Sequence, residues 1–147
     1  MCLSEAKGMD INMHIGDSCS KKIVATDEIV KKIAEVSGDI NPIHLVDEYA
    51  KQSVFGKRIA HGLFCVNAVS MIIGNYLPGP GAILIEQNFK YKKPVYIDDE
   101  IRVTVTVVEE IKQKNIYELE IICTNNKNDV VLEGISKIKW EENSLKR

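Results

Sequence analysis

One stretch of the chain places an acid and an imidazole a few residues apart: SGDINPIH, residues 37–44. Pro42 has no backbone donor and disfavours the α conformation at Asn41, so the stretch is predicted to be extended or turned. Histidine exchanges a proton readily near neutral pH, and a neighbouring carboxylate orients it or acts as a second base. Asp39 and His44 are therefore candidates for acid–base chemistry. The same residues also suit a surface turn in which the acid caps backbone groups and the imidazole is solvated.

A second candidate lies in RIAHGLF, residues 58–64, where Gly62 opens an apolar run. Amides at a helix N-terminus lack intrahelical acceptors and carry partial positive charge, and a carbonyl can approach a glycine N–H closely. This arrangement stabilises an oxyanion, although tight packing alone also explains the glycine. His61 is predicted to support structure rather than catalysis. Ser70, two turns further on, needs a partner in a buried helix, either a backbone carbonyl or a carboxylate of the loop.

Two predicted helices position these groups. Thr26 followed by two acids is typical of a helix start, and Gly38 is typical of its end, so a helix of about ten residues leads into the loop. Residues 62–76 predict a second helix that is apolar nearly all round and therefore buried.

The remaining elements are predicted strands. Alternating polarity and β-forming residues indicate strands near 19–24, 82–91, 101–107, 116–124 and 130–140. Consecutive strands with short links pair antiparallel. The order predicts an α+β fold in which an antiparallel sheet wraps around one buried helix.

Composition excludes several classes of protein. The chain has 147 residues, of which 45% are hydrophobic and 27% charged, as expected for a globular domain. The net charge of −2 argues against nucleic acid and anionic membrane partners. No apolar run reaches the ~18 residues of a membrane span, and no signal-peptide pattern is visible, so we expect a cytoplasmic protein. We expect a flexible tail over residues 1–10 and a single domain over residues 11–147.

SGDINPIH, the following Ala50 and RIAHG together resemble the MaoC-like family of (R)-specific enoyl-CoA hydratases. The family pattern is a small residue, Gly-Asp-x-Asn-Pro-aliphatic-His, five residues, then Ala or Ser, and each position is met from Ser37 to Ala50. The resemblance continues through HGLF, the PGPG turn and FKYKKPVYIDDE, and covers about residues 11–140. One departure lies upstream, where the family often has an aromatic and this chain has Ile33 and Ala34.

The resemblance implies a hot-dog fold, usually assembled as a homodimer or a higher oligomer of dimers. Asp39 and His44 would activate a water for syn addition to trans-2-enoyl-CoA, giving (R)-3-hydroxyacyl-CoA. The Gly62 amide would bind the thioester oxygen, Ser70 would support the Asp/His pair, and Asn41 would fix the loop. No cofactor is implied.

Other ligand contacts are more weakly indicated. His44 with Asp47 and Glu48 fits no common metal spacing, and the cysteines form no C-x-x-C pair, so no metal site is predicted. Four cations are candidates for the phosphates of CoA, although surface cations are usually only solvated: Lys57, Arg58, Lys92 and Lys93.

Two alternatives remain open from the residues. A hot-dog acyl-CoA thioesterase would share the fold but would not need the whole of GDxNPxH. A non-catalytic acyl-CoA binding domain would need neither base, and the intact Asp39/His44 pair argues against it.

Overall fold

A computed structural model describes residues 12–141, so the predicted tail at 1–10 lies outside the described residues. Within this range the chain forms five strands and four α-helices, besides one short 3-10 helix at Lys112–Lys114. In chain order they are β1 Ser18–Val24, α1 Asp27–Ser37, α2 Pro42–Leu45, α3 Asp47–Lys51, α4 Leu63–Asn75, β2 Ile83–Tyr91, β3 Glu100–Ile111, β4 Ile116–Thr124 and β5 Val130–Lys139. No helix in this part of the chain is both long and apolar enough to cross a membrane.

The strands form one antiparallel sheet in the order β1-β3-β4-β5-β2. The consecutive strands β3, β4 and β5 pair as predicted. The prediction is wrong for β2, which pairs with β5 at the edge instead of with β3. The link over residues 92–99 explains the difference, because it is held by the chain before α4. Ala60 N donates to Val95 O at 2.7 Å, and Ile59 forms an isolated bridge with Tyr96.

The core lies between the sheet and α4, which contacts β1, β3 and α1. Alternate residues of β3 point inward because successive side chains of a strand leave opposite faces. Burying an aliphatic or aromatic side chain of this size contributes about 1.5–3 kcal/mol. The buried residues include Phe64 and Ile72 on α4 and Ile101, Val103 and Val105 on β3.

One stripe of α4 stays exposed, in contrast to the prediction of a helix covered on nearly every side. The stripe consists of Leu63, Asn67, Ser70 and Gly74, at helical spacing. The sheet of a single chain covers the opposite side, where the buried residues of the helix lie.

The loop before His44 is more helical than predicted. Pro42 opens α2, and Asn41 before it has φ −54° and ψ 126°, outside the α region as expected. A proline at the first position of a helix loses no hydrogen bond, because that N–H has no intrahelical acceptor. Because a proline usually interrupts a helix, the sequence pattern does not predict this short helix.

Candidate active site

The loop that carries Asp39 is fixed by its own short-range hydrogen bonds. Helix α1 ends at Gly38, whose φ of +75° favours glycine. Asp39 N donates to Ser37 Oγ at 3.1 Å, and Asn41 N donates to Asp39 Oδ1 at 3.1 Å. Asn41 Oδ1 in turn accepts from Ile43 N at 3.1 Å and caps α2. The backbone thus engages one carboxylate oxygen of Asp39 and leaves Oδ2 for other contacts.

His44 is buried, and its hydrogen bond defines its tautomer. Nδ1 lies 2.7 Å from Ile59 O. A carbonyl only accepts, so Nδ1 carries the proton and Nε2 of the neutral ring has a free lone pair. Nε2 lies 3.7 Å from Asp39 Oδ2, beyond hydrogen-bond distance. Asp39 Oδ2 and His44 Nε2 are therefore two neighbouring hydrogen-bond acceptors that are not bonded to each other.

His61 joins the same group. Its ring stacks on that of His44, with centroids 3.8 Å apart and 28° between the planes. His61 Nε2 lies 2.9 Å from the backbone carbonyl of Asp39, so this nitrogen is the donor. His61 thus contacts the ring of His44 and the backbone of Asp39.

The arrangement suits proton transfer better than metal binding. Asp39, His44 and His61 each offer one ligand atom, and these atoms lie within 4.8 Å of one another. However, stacked rings direct their in-plane lone pairs side by side rather than towards one point. Binding through His61 Nε2 would also require that nitrogen to lose its proton and its bond to the Asp39 carbonyl.

A cavity of about 460 Å³ borders the group, and its wall is mostly apolar. His44 and Gly62 both line it. Gly62 immediately precedes α4 in α conformation, with φ −55° and ψ −30°. Its N–H has no acceptor among residues 12–141. The cavity has the size of a small-molecule site, with a free amide donor and a free imidazole acceptor in one wall.

Tyr91, at the end of β2, is a cavity residue that the sequence analysis missed. Its hydroxyl donates to Gly62 O at 3.4 Å, and a Cβ built on Gly62 would lie 3.0 Å from three atoms of the tyrosine side chain. Burial, and to a lesser extent Cys65, raises the pKa of Tyr91, so the hydroxyl stays protonated at neutral pH. Its place directly before the Lys-Lys-Pro turn was the available sequence signal.

Ser70 is not brought to the Asp39/His44 group within one chain. It lies on the exposed stripe of α4, in a small depression with Leu84 and Gln87. No hydrogen bond joins Ser70 to either base among the described residues. Its predicted supporting contact is therefore not formed in the isolated chain.

The prediction that Arg58 binds CoA is revised, because its guanidinium is already engaged. Nη1 lies 2.8 Å from Asp27 Oδ1 and Nε lies 2.9 Å from Asp47 Oδ1, while Nη1 also donates to His44 O at 3.2 Å. The side chain is only 13% exposed. Hydrogen bonds to the two carboxylates, that of Asp27 foremost, raise the pKa of Arg58. We assign Arg58 to holding α1, α3 and the His44 turn together.

The three candidate lysines lie in or beside the cavity. Lys92 and Lys93 line it, and their ammonium groups are ion-paired with acids at 3.3 and 3.0 Å. Lys57 lies 4.7 Å from the centre of the Tyr96 ring. It lines an adjoining groove that shares Lys93 and Pro94 with the cavity.

Comparisons with known proteins agree with this architecture. The family model described as "MaoC like domain" matches residues 14–128. The chain is 38% identical over 130 residues to a 3-hydroxybutyryl-CoA dehydratase of Methylorubrum extorquens, covering 88% of this chain and 81% of the relative. It is 38% identical over 119 residues to an (R)-specific enoyl-CoA hydratase of Rhodospirillum rubrum, covering 81% and 82%.

A solved structure supports the same relationship. The R-hydratase PhaJ1 of Pseudomonas aeruginosa, in its unliganded form, superposes with a TM-score of 0.83 at 30% identity, covering 87% of this chain and 82% of that chain. The predicted hot-dog fold is confirmed. With its sheet, its helix and the complete SGDINPIH motif, the chain belongs to the MaoC-like domain family.

Proposed function

We propose that the protein is an (R)-specific enoyl-CoA hydratase that interconverts trans-2-enoyl-CoA and (R)-3-hydroxyacyl-CoA. One observation carries this proposal: the free Nε2 of His44 lies 3.7 Å from Asp39 Oδ2, beside a cavity that Gly62 also lines. Relatives at 38% identity bear the names 3-hydroxybutyryl-CoA dehydratase and (R)-specific enoyl-CoA hydratase.

The proposed reaction uses both bases on one side of a flat substrate. A water bound between Asp39 and His44 loses a proton to His44 Nε2 as its oxygen adds to C3. The imidazolium is stabilised by its Nδ1–H bond to Ile59 O and by the nearby carboxylate. The proton then passes from the pair to C2 on the same face, which makes the addition syn.

Gly62 is proposed to bind the thioester oxygen. Attack at C3 moves charge onto that oxygen, and a fixed N–H donor stabilises the enolate without reorganisation. The free N–H of Gly62 at the start of α4 supports this role. Lys57, Lys92 and Lys93 are proposed to meet the phosphates of CoA, because they line the cavity or the groove beside it.

A homodimer is the assembly we propose. Strand β2 lies at the edge of the sheet, and its first three residues are large, apolar and 49–59% exposed: Ile83, Leu84 and Ile85. Leu84 adjoins the exposed stripe of α4 in the depression that contains Ser70. An apolar edge strand in a native protein is normally covered. A second copy paired on β2 would cover both features. We propose that residues 11–147 form the single domain of each protomer, supported by one sheet and one core.

A cytoplasmic location stays a prediction. Cys19 is disulfide-bonded in the structure, whereas disulfides are rare in a reducing cytosol. Titration of free thiols in protein isolated from its host under alkylating conditions tests this location: a reduced Cys19 would support it, and an oxidised Cys19 would argue for an oxidising compartment.

Crotonyl-CoA provides the test of function. Loss of the enoyl absorbance without release of thiol is the expected result and indicates hydration. Release of free CoA thiol would indicate the thioesterase alternative. Binding of crotonyl-CoA with neither change would indicate a non-catalytic acyl-CoA domain.

A further inference from the structure

We propose that His61 is a positioning residue that holds both candidate bases in register with the Gly62 amide. The inference rests on the proposed hydratase function and adds a residue to it. His61 is 3% exposed and directly precedes Gly62. Through the ring stack and the Nε2 hydrogen bond it contacts His44 and Asp39 at once.

The stack fixes the plane of the His44 ring. Nδ1 of His44 is held at one point by Ile59 O, and this single bond still permits the ring to tilt about it. His61, at 3.8 Å between centroids, blocks tilting on one face. Nε2 of His44 must stay near Asp39 Oδ2, and a displacement of about 1 Å between reacting groups can cost about 10² in rate.

The hydrogen bond from His61 Nε2 fixes the position of the Asp39 loop relative to the start of α4. His61 Nε2–H donates to the Asp39 carbonyl across 22 positions of the chain, at 2.9 Å. Because His61 and Gly62 are neighbours, this bond connects the loop with the start of α4. The positions of the carboxylate and the proposed oxyanion donor are thereby linked through one side chain.

The second ring nitrogen of His61, Nδ1, helps to distinguish a requirement for histidine from a requirement for any aromatic ring. His61 Nδ1 is buried and has no hydrogen-bond partner among the described residues. A buried polar atom without a partner is unfavourable, and a phenylalanine would stack without that cost. The Nε2–H donor is the property that phenylalanine lacks. We therefore expect the donor, and not the ring alone, to be required.

Two substitutions separate the contacts. His61→Phe keeps an aromatic ring against His44 and removes the donor, whereas His61→Gln keeps an N–H donor and removes the stack. Each should lower kcat on crotonyl-CoA by about 10- to 100-fold and change KM by less than about threefold, because the substrate still binds while the bases are misplaced. Phe64→Leu is the matched control: Phe64 is buried three residues away and does not line the cavity. It should lower the Tm and leave kcat per folded molecule near normal.

A double-mutant cycle distinguishes positioning from general damage. In a His44→Gln background, His61→Gln, which removes only the stack, should reduce the residual kcat by less than about threefold, since the ring being positioned is already lost. The same is expected of His61→Phe, which removes only the donor to the Asp39 loop, in an Asp39→Asn background. Full multiplication of the two losses would overturn the proposal. So would retention of kcat within about threefold in both single variants of an active enzyme.

Imidazole NMR reads the contact without any activity. Long-range ¹H–¹⁵N spectra should show His44 protonated at Nδ1 and His61 at Nε2, and His61→Gln, which removes the stack, should shift the His44 nitrogen signals. Unchanged His44 signals would overturn the proposal whatever the activity. If the wild-type protein did not hydrate crotonyl-CoA, the proposed function would fail, while shifted His44 signals would still support His61 as the residue that holds this ring.

Discussion

At the scale of single residues, the proposed chemistry depends on the 3.7 Å between His44 Nε2 and Asp39 Oδ2. A direct hydrogen bond between these atoms would need a proton on one of them and would occupy both. The observed gap leaves each free to contact a water or a substrate atom, while their backbone bonds keep them from drifting apart.

Removing either base should abolish most turnover and spare the fold. Asp39→Asn and His44→Gln should each lower kcat by at least ~10², the usual contribution of a general acid–base group. Circular dichroism and the Tm serve as controls. Near-normal turnover in either variant would remove that residue from the mechanism.

Gly62→Ala should lower kcat/KM by ~10² or more, with most of the loss in kcat, because the thioester oxygen is moved off its donor as charge develops. The added Cβ also meets Tyr91 at 3.0 Å, so displacement of Tyr91 is an alternative cause of the lost activity. Tyr91→Ala makes room for that Cβ. We expect the loss to persist when the two substitutions are combined. Recovery in the double variant would show that displacement of Tyr91, and not loss of the oxyanion contact, was responsible.

How far the sequence predicts a residue depends on where its contacts lie. The side chains of Asp39 and Asn41 accept from backbone amides two positions away, so local rules identified them. The ion pairs of Arg58 were not predicted because its partners come from α1 and α3, which meet only in the folded chain. Ser70 lies on a helix face whose environment depends on what covers it. His61 was predicted as structural, but its stack on His44 required coordinates.

At the scale of elements, the segment before α4, residues 58–61, organises the site. In this segment Ile59 O accepts from His44 Nδ1–H, Arg58 donates to the His44 carbonyl, and His61 stacks on the His44 ring. Periodicity predicted α1, α4 and the β3–β4–β5 hairpins because each repeats over several turns or residue pairs. It missed α2 and α3, which are four and five residues long. Local sequence patterns also do not predict that β2 pairs with β5.

Arg58→Met should destabilise the fold by about 1–2 kcal/mol at pH 7, between the values of surface and buried ion pairs. Hydrogen bonds from Lys31 and then Arg58 lower the pKa of Asp27. A lowered folded-state pKa contributes stability above the unfolded pKa of about 4, and that stability is lost as the pH falls through the folded value. Urea unfolding should therefore show a constant difference between wild type and variant from pH 7 to about 5 that shrinks towards pH 3. A difference that grew on acidification would contradict the ion-pair assignment. Lys31→Met, on the surface, is the control and should cost less.

At the scale of the whole molecule, β2 and the exposed stripe of α4 adjoin on one face that a single chain leaves uncovered, and this face is apolar at Ile83, Leu84 and Ile85. The hot-dog sheet ends at β2, so its outer backbone groups are available for pairing. Assembly across this face would extend the sheet and bury the stripe that carries Ser70.

Charges on β2 should therefore disrupt the dimer. Ile83→Lys combined with Ile85→Lys is expected to give a monomer in sedimentation velocity, because two ammonium groups cannot be buried unpaired at an interface. Val54→Lys is the matched control, since Val54 is 97% exposed and belongs to the link after α3 rather than to β2. A dimer that survived the β2 substitutions would refute this face as the interface.

The stereochemistry of hydration tests the proposed function most directly. Crotonyl-CoA is incubated with the protein, and the product is offered with NAD⁺ to an (S)-specific or an (R)-specific 3-hydroxyacyl-CoA dehydrogenase. The proposed (R)-hydratase function, with attack on C3 from the one face that Asp39 and His44 share, predicts (R)-3-hydroxybutyryl-CoA. NADH should therefore form only with the (R)-specific enzyme, and not when Asp39→Asn replaces the wild type. Robust NADH formation with the (S)-specific enzyme would contradict the assignment of this site as an (R)-hydratase.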